Sequence, residues 1–448
     1  MKTLILAAGI GKRMKSKYPK VVHKLSGKPI LSWVIDTAKE VSKDIGIVLG
    51  YRSDEVKKIL PSWVKVFYQE EPLGTAHAVM CAKDFIDEDE DILILYGDVP
   101  LIRKETIQEM LEKHRSSNSD AIVLTAIFDD PRGYGRIVRK NGKITIIEDA
   151  DADDEIRKIK EINTGIYIFK GRALLEVLPR IKNENAQGEY YLTDGVRMLQ
   201  NVETVVTDNV YEVIGVNTRK DLIKLEEYLR WEKIEELLES GVTILDPNTT
   251  FIQYTVKIGK DTIIYPFTFI EGHTEIGEDC EIGPMTRLID CEIGDRVRIV
   301  RSECTGAFME SDVTVGPFAR LREGTVLKRH AKIGNFVEVK KSTVGENSKA
   351  QHLTYIGDTF IGKDVNVGAG TITCNYDGKR KNPTFIEDGA FIGSNTALVA
   401  PVRVGKKSLV GAGSVITEDV PPYSLALGRA RQVNKEGWVL KKNLGGEE

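Results

Sequence analysis

The chain has 448 residues, with 63 lysines and arginines against 67 aspartates and glutamates and a hydrophobic content of 41%. This length exceeds what one hydrophobic core normally supports, so we expect two domains. The net charge of −4 excludes a general electrostatic attraction to nucleic acid or to anionic membranes, so local cations must meet any phosphate-bearing ligand.

Short apolar runs alternate with helical patterns from the start of the chain to about residue 216. The clearest of these segments are 3–8, 28–41, 46–49, 54–60, 91–96 and 105–114. Such alternation is typical of a mostly parallel sheet with helices on both faces, as in Rossmann-like α/β folds. We therefore predict a first domain over residues 1–217.

A glycine-rich turn with two cations follows the first apolar run, with the sequence Leu6-Ala7-Ala8-Gly9-Ile10-Gly11-Lys12-Arg13-Met14. Backbone N–H groups in such a turn can approach a phosphate closely. The turn matches neither the dinucleotide fingerprint, because Met14 replaces the third glycine, nor the Walker A pattern. It is predicted to bind phosphate together with Lys20, although strand-to-helix turns also use glycine for steric reasons.

A carboxylate follows the buried-strand pattern of residues 92–95, within the sequence Tyr96-Gly97-Asp98. Ligands of open α/β sheets bind at the carboxyl ends of the strands, and Mg²⁺ prefers oxygen ligands. Asp98 is therefore a candidate Mg²⁺ ligand. The alternative is an ordinary turn or helix-capping aspartate.

A helical stretch over residues 218–239 separates two regions with different periods. Its apolar residues fall at three- and four-residue spacings, and Gly241 supplies a stop signal. They are Leu222, Leu225, Leu229, Ile234, Leu237 and Leu238. We predict that residues 218–241 form a linker helix between the two domains.

Beyond Gly241 the sequence repeats every six residues, with isoleucine at 258, 264, 270, 276 and 282 and glycine at 259, 277 and 283. Similar pairs of an aliphatic residue and glycine recur as far as Val410-Gly411. A six-residue period of this kind predicts a parallel β-helix, in which three hexads complete one coil and stacked coils bury the interior. A sandwich of short strands would not keep a fixed spacing. Residues 242–448 are therefore predicted to form a β-helix domain with a C-terminal tail.

The hexads are interrupted between Val367 and Ile386 by an insertion over residues 373–384. Insertions at solenoid corners often form binding faces, although a solvated surface loop is the simpler interpretation. His352 is a candidate base, although a lone histidine is more often structural. Arg322 and Lys340 precede it by multiples of six residues, so both could recur at equivalent positions of neighbouring coils.

The motifs of the first half resemble those of sugar-phosphate nucleotidylyltransferases. The resemblance begins with the turn at 6–14 and Lys20, and continues through Gln69 with 73–77 and through 96–101. Segments 133–137, 161–165, 188–194 and 215–217, with Glu148, are similar to the uridylyltransferases that act on N-acetylglucosamine 1-phosphate. These enzymes commonly have threonine where Lys12 stands, a difference that leaves the turn intact.

This resemblance implies transfer of UMP from UTP to N-acetylglucosamine 1-phosphate, with Mg²⁺ held by Asp98 and Asn217. It implies nucleotide contacts from Leu6, Ala7, Ala8, Gly9, Arg13, Lys20, Gln69, Gly74, Thr75, Tyr96, Gly97 and Asp98. It also implies a sugar pocket formed by Gly135, Glu148, Asn163 and Tyr191 or Thr193.

The second half resembles the hexapeptide acetyltransferase half of the bifunctional enzymes that make UDP-N-acetylglucosamine, so that the resemblance covers essentially the whole chain. It implies a left-handed β-helix, a homotrimer, acetyl-CoA bound at subunit contacts, and glucosamine 1-phosphate as the acetyl acceptor. His352 corresponds to the general base, and the residues implied for the sugar phosphate are Arg322, Lys340, Tyr355 and Asn366. Those implied for acetyl-CoA are Ala369, Asn375, Tyr376, Ser394, Ala412 and Arg429.

Two alternatives remain open at this level. In some sugar pyrophosphorylases the β-helix only assembles or regulates the enzyme, and a non-enzymatic scaffold could share the architecture. The coincidence of a histidine, cations and an Asn-Tyr-Asp-Gly loop favours a second active site. No run approaches the roughly 18 apolar residues of a membrane span, and the five cysteines contain no C-x-x-C pair. We therefore expect a cytoplasmic protein with small-molecule substrates and neither nucleic-acid nor membrane partners.

Overall fold

The computed structural model describes residues 1–140 and 142–442. Asn141 and residues 443–448, the end of the predicted C-terminal tail, lie outside the described residues. The chain divides into two compact units, with the boundary between Leu229 and Arg230. Among the described helices, none has the length and apolar content needed to cross a membrane.

The first unit is an α/β domain. Its strands are β1 Lys2–Ala7, β2 Lys24–Leu25, β3 Lys28–Pro29, β4 Ile45–Leu49, β5 Lys65–Tyr68, β6 Asp91–Tyr96, β7 Ala121–Ile127, β8 Arg136–Lys140, β9 Lys143–Ile147, β10 Glu161–Lys170 and β11 Val202–Thr207. Its helices are α1 Ile30–Val41, α2 Ser53–Lys57, α3 Thr75–Met80, α4 Lys104–Ser117, α5 Asp154–Arg157, α6 Gly171–Val177 and α7 Leu192–Met198. Short 3₁₀ helices lie at Lys12–Met14, Lys20–Val22, Lys83–Phe85, Leu178–Arg180 and Val210–Val213.

The main sheet has the order β11-β7-β10-β6-β1-β4-β5, and β8 and β9 extend it beside β10. β1 pairs in parallel with both β4 and β6, whereas β10 is antiparallel to β6 and β7. The central strands β1 and β4 are almost wholly buried, as expected for continuous apolar runs covered on both faces. The predicted mostly parallel α/β domain is therefore confirmed.

The predicted elements of this domain agree with the observed ones to within three residues at either end. The helix predicted over 54–60 is observed as Ser53–Lys57 and ends early. Pro61 disfavours helical backbone in the residue before it, so the sequence around Ile59 and Leu60 turns instead of continuing the helix.

The second unit is a β-helix of three parallel sheets. Sheet 1 contains Thr243–Ile244, Ile263–Ile264, Glu281–Ile282, Arg298–Ile299, Thr314–Val315, Lys332–Asn335, Lys349–His352, Asn366–Val367, Phe391–Ile392, Leu409–Val410 and Leu425–Ala426. Sheet 2 contains Phe251–Ile252, Phe269–Glu271, Arg287–Ile289, Glu303–Thr305, Arg320–Leu321, Glu338–Lys340, Tyr355–Gly357, Ile372–Cys374, Ala397–Val399 and Val415–Ile416. Sheet 3 contains Lys257–Ile258, Glu275–Ile276, Glu292–Ile293, Phe308–Met309, Val326–Leu327, Thr343–Val344, Thr359–Ile361, Thr384–Ile386 and Val402–Val404.

The six-residue repeat produces this architecture by placing one aliphatic side chain of each hexad inside the coil. Ile264 pairs with Ile282, and Ile282 with Ile299, so identical side chains stack along the axis and are fully buried. Glycine follows many of them because the corners stack closely: a Cβ added to Gly277 would lie 2.3 Å from Asp295 Oδ1. The predicted left-handed hexapeptide β-helix is confirmed.

The predicted linker is a single helix, α8, over Arg219–Glu239. Leu225 and Leu229 in its first half belong to a hydrophobic cluster of the α/β unit. Ile234 and Leu237 in its second half belong to the β-helix core, together with Val242 at the start of the solenoid. Because a terminal coil cannot bury its own interior, these two residues cover the amino-terminal end of the solenoid. A last short helix, α9, follows at Trp438–Lys441.

Candidate active sites

A cavity of about 400 Å³ lies at the carboxyl ends of the strands of the α/β domain. Ligands of open α/β sheets bind at this edge. The cavity lining includes ten of the predicted nucleotide contacts: Leu6, Ala7, Ala8, Gly9, Lys20, Gln69, Gly74, Thr75, Tyr96 and Asp98. These residues come from three separate parts of the sequence, which the sheet brings to one place.

Asp98 and Asn217, the two predicted Mg²⁺ ligands, share one cationic partner. Lys20 Nζ forms an ion pair with Asp98 Oδ2 and donates a hydrogen bond to Asn217 Oδ1 at 3.2 Å. The Val216 amide donates to the Asp98 carbonyl oxygen at 2.8 Å, which holds the two loops together. A carboxylate and an amide oxygen directed at one positive charge are a donor set that suits Mg²⁺. The residues present therefore fit the predicted metal.

Two predicted nucleotide contacts are absent from the cavity lining. Gly97 packs behind the cavity: its amide donates to the Leu6 carbonyl oxygen at 2.9 Å, and an added Cβ would lie 3.0 Å from the Ala7 Cβ. Arg13 is exposed in the 3₁₀ helix Lys12–Met14, and Lys12 from the same turn lines the cavity instead. Lys12 is one of the two cations of the predicted phosphate-binding turn, although it was not among the predicted nucleotide contacts.

The segment after β5 is held against the loop before α7. Gly74 has a φ of +112°, and a Cβ there would lie 2.6 Å from the Tyr190 carbonyl oxygen, so this close approach requires glycine. Thr75 Oγ1 accepts a hydrogen bond from the Leu192 amide at 3.1 Å. Gln69 Nε2 donates to the Gly74 carbonyl oxygen at 2.9 Å. These contacts make this side of the cavity a preformed surface.

The predicted sugar-pocket residues also cluster. A Cβ added to Gly135 would lie 3.4 Å from Glu148 Oε2 and 3.5 Å from the Asn163 Cβ. Thr193 donates to Glu148 Oε1 at 3.0 Å, and this bond partly offsets the burial that raises the pKa of Glu148. Burial raises the pKa of Tyr191 to about 12, and its hydroxyl is buried without a hydrogen-bond partner among the residues described. Such an orphaned hydroxyl fits a polar ligand group.

His352 ends a strand of sheet 1, beside a side chain that orients its ring. Asn335 Oδ1 lies 2.8 Å from His352 Nδ1, and the two residues are partners in adjacent strands. The amide oxygen is an acceptor, so Nδ1 carries the ring proton and Nε2 keeps a free lone pair. Asn335 was not among the predicted site residues.

Three cations of the β-helix lie close to one another. Lys381 and Arg322 lower the pKa of Lys340, with the Lys381 side chain as the largest cause. Arg322 also pairs with Glu338 at 3.0 Å. Lys381 comes from the insertion and was missed by the sequence analysis; the basic run 379–381 was the available signal. Among the described residues, these three positive charges have fewer than three acidic partners. Such an excess of positive charge fits an anionic ligand.

The insertion is folded onto the solenoid. Tyr376 and Lys381 form a β-bridge, and Asp377 Oδ1 accepts hydrogen bonds from the Lys379 and Arg380 amides at 2.8 and 2.7 Å. Asn375 Nδ2 donates to Asp358 Oδ2. The loop is therefore closed by its own hydrogen bonds and anchored to the solenoid through Asn375, while residues 376–381 are exposed, and its part in a binding face stays a prediction.

Tyr355 and Asn366 lie in different sheets of the β-helix, Tyr355 in sheet 2 and Asn366 in sheet 1. A Cβ added to Gly357 would lie 2.5 Å from the Tyr355 hydroxyl and 2.7 Å from Asn375 Nδ2, so these two polar groups are close together. Asn366 follows the His352 strand in sheet 1, where it pairs with Lys349.

The predicted acetyl-CoA residues form a ladder along one corner. The Asn395 amide donates to the Ala369 carbonyl oxygen at 2.7 Å, and the Gly413 amide donates to the Ser394 carbonyl oxygen at 2.8 Å. Ala369, Ser394 and Ala412 thus occupy equivalent positions of successive coils. Arg429 is exposed beyond the last strand of sheet 1, so its contact with coenzyme A stays a prediction.

Family models match residues in both halves of the chain. The family model described as the MobA-like NTP transferase domain matches residues 3–186. The bacterial transferase hexapeptide model matches residues 255–289, and the hexapeptide repeat of succinyl-transferase matches residues 383–418. A solved structure of a putative glucose-1-phosphate thymidylyltransferase from Bacillus anthracis covers 51% of this chain and 94% of its own, at 23% identity and a TM-score of 0.43.

Curated relatives match along the full chain. The proteins named bifunctional protein GlmU from Thermotoga petrophila and Thermotoga maritima are each 66% identical over 442 residues, covering 99% of both chains. The protein of the same name from Fervidobacterium nodosum is 61% identical over 442 residues, covering 99% of this chain and 98% of its own. The family expected from the motifs is confirmed, and the chain belongs to the GlmU family of bifunctional enzymes, with a nucleotidyltransferase domain followed by a hexapeptide-repeat transferase domain.

Proposed function

We propose that residues 1–217 transfer UMP from UTP to N-acetylglucosamine 1-phosphate, and that residues 242–448 first acetylate glucosamine 1-phosphate with acetyl-CoA. The observation that carries this proposal is the presence of two separate clusters of cations in one chain. One consists of Lys12 and Lys20 beside Asp98, and the other of Arg322, Lys340 and Lys381 in the β-helix.

Uridylyl transfer proceeds by in-line displacement. An oxygen of the sugar phosphate attacks the α-phosphorus of UTP, the bond from that phosphorus to the bridging oxygen breaks, and pyrophosphate leaves. Both reactants are anions, so charge neutralisation and positioning are the main tasks. Lys12 and Lys20, which line the cavity, supply positive charge at the phosphates. Mg²⁺, held by Asp98 and Asn217, would neutralise phosphate charge further.

The sugar is held at the other end of the cleft by Glu148, Asn163 and Tyr191. Thr193 positions the Glu148 carboxylate through its 3.0 Å hydrogen bond. The Tyr191 hydroxyl gains from the sugar the hydrogen bond that it lacks within the described residues.

Acetyl transfer uses His352 as the general base. Its Nε2 takes a proton from the ammonium group, and the free amine attacks the thioester carbonyl carbon. The carbon–sulfur bond then breaks while the second N–H proton passes to the departing sulfur, so that coenzyme A leaves as the thiol. Arg322, Lys340 and Lys381 bind the sugar phosphate. The Asn375-Tyr376 loop stabilises the negative charge on the thioester oxygen in the tetrahedral intermediate.

Substrate positioning in this half involves two further sets of residues. Tyr355 and Asn366 orient the sugar and its amine. Coenzyme A lies along Ala369, Ser394 and Ala412 and reaches Arg429. We propose a cytoplasmic homotrimer in which acetyl-CoA binds at subunit contacts, since the corner ladder is open along the solenoid.

Two product assays test the proposal against a single-activity pyrophosphorylase with an assembling β-helix. With UTP, N-acetylglucosamine 1-phosphate and Mg²⁺, the protein should release pyrophosphate. With acetyl-CoA and glucosamine 1-phosphate, it should release free coenzyme A, measured as thiol. Pyrophosphate release without thiol release would favour the single-activity alternative, and a protein without either activity would contradict both.

Separability of the two activities is the second prediction. A fragment of residues 1–229 should fold and keep uridylyl transfer, because the observed boundary lies between Leu229 and Arg230. Extension to residue 240 would expose Ile234 and Leu237, so that fragment should be less soluble. Residues 230–448 should keep acetyl transfer and form trimers.

Activity assays and light scattering of both fragments provide the check. A shorter fragment that is insoluble or inactive would mean that the α/β unit depends on the solenoid. A monomeric solenoid fragment at micromolar concentration would contradict the proposed trimer.

A further inference from the structure

The nucleotide cavity contains a hydrogen-bonded pair, Gln69 and His77, of which the proposed reaction uses only one member. Gln69 follows β5, lines the cavity and is 6% exposed. Its Nε2 lies 2.9 Å from the Gly74 carbonyl oxygen and 3.1 Å from His77 Nδ1. A carbonyl oxygen only accepts hydrogen bonds, so the amide nitrogen of Gln69, and not its oxygen, must face Gly74.

This geometry determines the tautomer of His77. The second hydrogen of Gln69 Nε2 is directed at His77 Nδ1, so Nδ1 accepts and the ring proton is on Nε2. His77 Nε2 in turn lies 3.9 Å from Sγ of Cys81, the residue that follows the end of α3. His77 Nδ1 therefore accepts a hydrogen bond from Gln69 Nε2. If the amide were rotated so that Oε1 faced His77, this hydrogen bond would be lost.

Both N–H groups of the Gln69 amide are consequently engaged by the protein. Its oxygen Oε1 is the side-chain group left over, and it has no hydrogen-bond partner within residues 1–140 and 142–442. Gln69 therefore offers a hydrogen-bond acceptor, and no donor, to a ligand in the cavity.

Gln69 lies away from the phosphate end of the cavity. Lys20 and Asp98 gather at the ends of β1 and β6, whereas Gln69 follows β5, and β4 separates β1 from β5 in the sheet. Two strand spacings correspond to about 10 Å, which leaves room for a ribose between the phosphates and Gln69. The group facing Gln69 is then the nucleobase.

We propose that His77 is a positioning residue that holds the Gln69 amide with its oxygen toward the base and so selects uracil over cytosine. The proposal rests on the uridylyl transfer proposed above. Uracil has a donor at N3–H that matches Oε1, whereas cytosine has an acceptor at N3, which would place two lone pairs against each other. Polar mismatch in a buried site is an effective source of discrimination.

The test measures nucleotide binding without any turnover, by titration calorimetry with UTP, CTP and 3-methyluridine 5′-triphosphate in the presence of Mg²⁺. The unaltered protein should bind UTP more tightly than both others, because each lacks the N3–H donor. In His77→Leu the ratio of UTP to CTP affinity should fall about three- to tenfold, the value of one lost hydrogen bond. A partly unfolded preparation would weaken binding of both nucleotides equally and leave this ratio unchanged.

The matched variant is His77→Asn, whose side-chain oxygen can occupy the place of Nδ1 and accept from Gln69. This variant should keep most of the preference for UTP. An unchanged ratio in His77→Leu, or equal binding of UTP and CTP by the unaltered protein, would overturn the role of His77. A protein that prefers UTP, loses part of this preference in His77→Leu and does not transfer UMP would contradict the proposed reaction and support the role of His77.

Discussion

Replacement of Asp98 with alanine is expected to reduce uridylyl transfer by about two to three orders of magnitude or more. The substitution removes a carboxylate that has two roles at the phosphate end of the cavity. It pairs with Lys20, and it is the proposed ligand of Mg²⁺. The attacking and the leaving groups both carry negative charge, so the transition state loses its electrostatic support rather than a single binding contact. Acetyl transfer should be unaffected. Release of pyrophosphate and of coenzyme A by the same preparation measures both effects.

A matched control is available in the same domain. Asp36 also forms an ion pair with a lysine, Lys28, but neither residue lines the cavity. Asp36→Ala should therefore retain uridylyl transfer within a fewfold. Asp98→Asn, which keeps the shape of the side chain, should still show a large loss and a higher Mg²⁺ requirement. An equal decrease of both activities in Asp98→Ala would indicate misfolding and would remove support for its assigned role.

Replacement of His352 with alanine is expected to depress acetyl transfer by about two to four orders of magnitude, the usual contribution of a general base. An ammonium group has no lone pair with which to attack a thioester, so the reaction stalls at the proton transfer. Asn335→Ala should cause a smaller loss, because the ring stays in place but its tautomer is no longer selected by the 2.8 Å contact. Both effects are measured as the rate of thiol release at pH 7.

His330→Ala is the matched control for this experiment. His330 is also exposed on the solenoid, at a corner with a φ of +59°, and it is outside the cation cluster. Its replacement should leave acetyl transfer unchanged. Uridylyl transfer should remain near normal in all three variants. Near-normal acetyl transfer in His352→Ala would show that another group accepts the proton, while the assigned substrates would remain possible.

Residues that act in one site but lie far apart in sequence set the limit of what could be predicted. Lys20 is 78 residues from Asp98 and 197 from Asn217, and no local pattern reports that its ammonium group lies between them. These three residues could be assigned to one site from the sequence only because the chain resembles a family. Lys12 lines the cavity and Arg13 does not, because the one-turn helix that contains both residues directs only one of them toward it. The sequence shows two adjacent basic residues and does not indicate which one faces the cavity.

The sequence by itself determined the two architectures and their order. A six-residue period fixes which side chains enter a solenoid, and an apolar run followed by Asp98 identifies a strand end, because both signals are local and repeat in register with the backbone. Only the tertiary structure decided how the sites are completed. Lys381 joins Arg322 and Lys340, Asn335 selects the tautomer of His352, and His77 orients Gln69 through contacts set by distances and angles between distant segments. Hydrogen bonds and charge clusters depend on geometry of a few tenths of an ångström, and a linear pattern of residues does not contain that information.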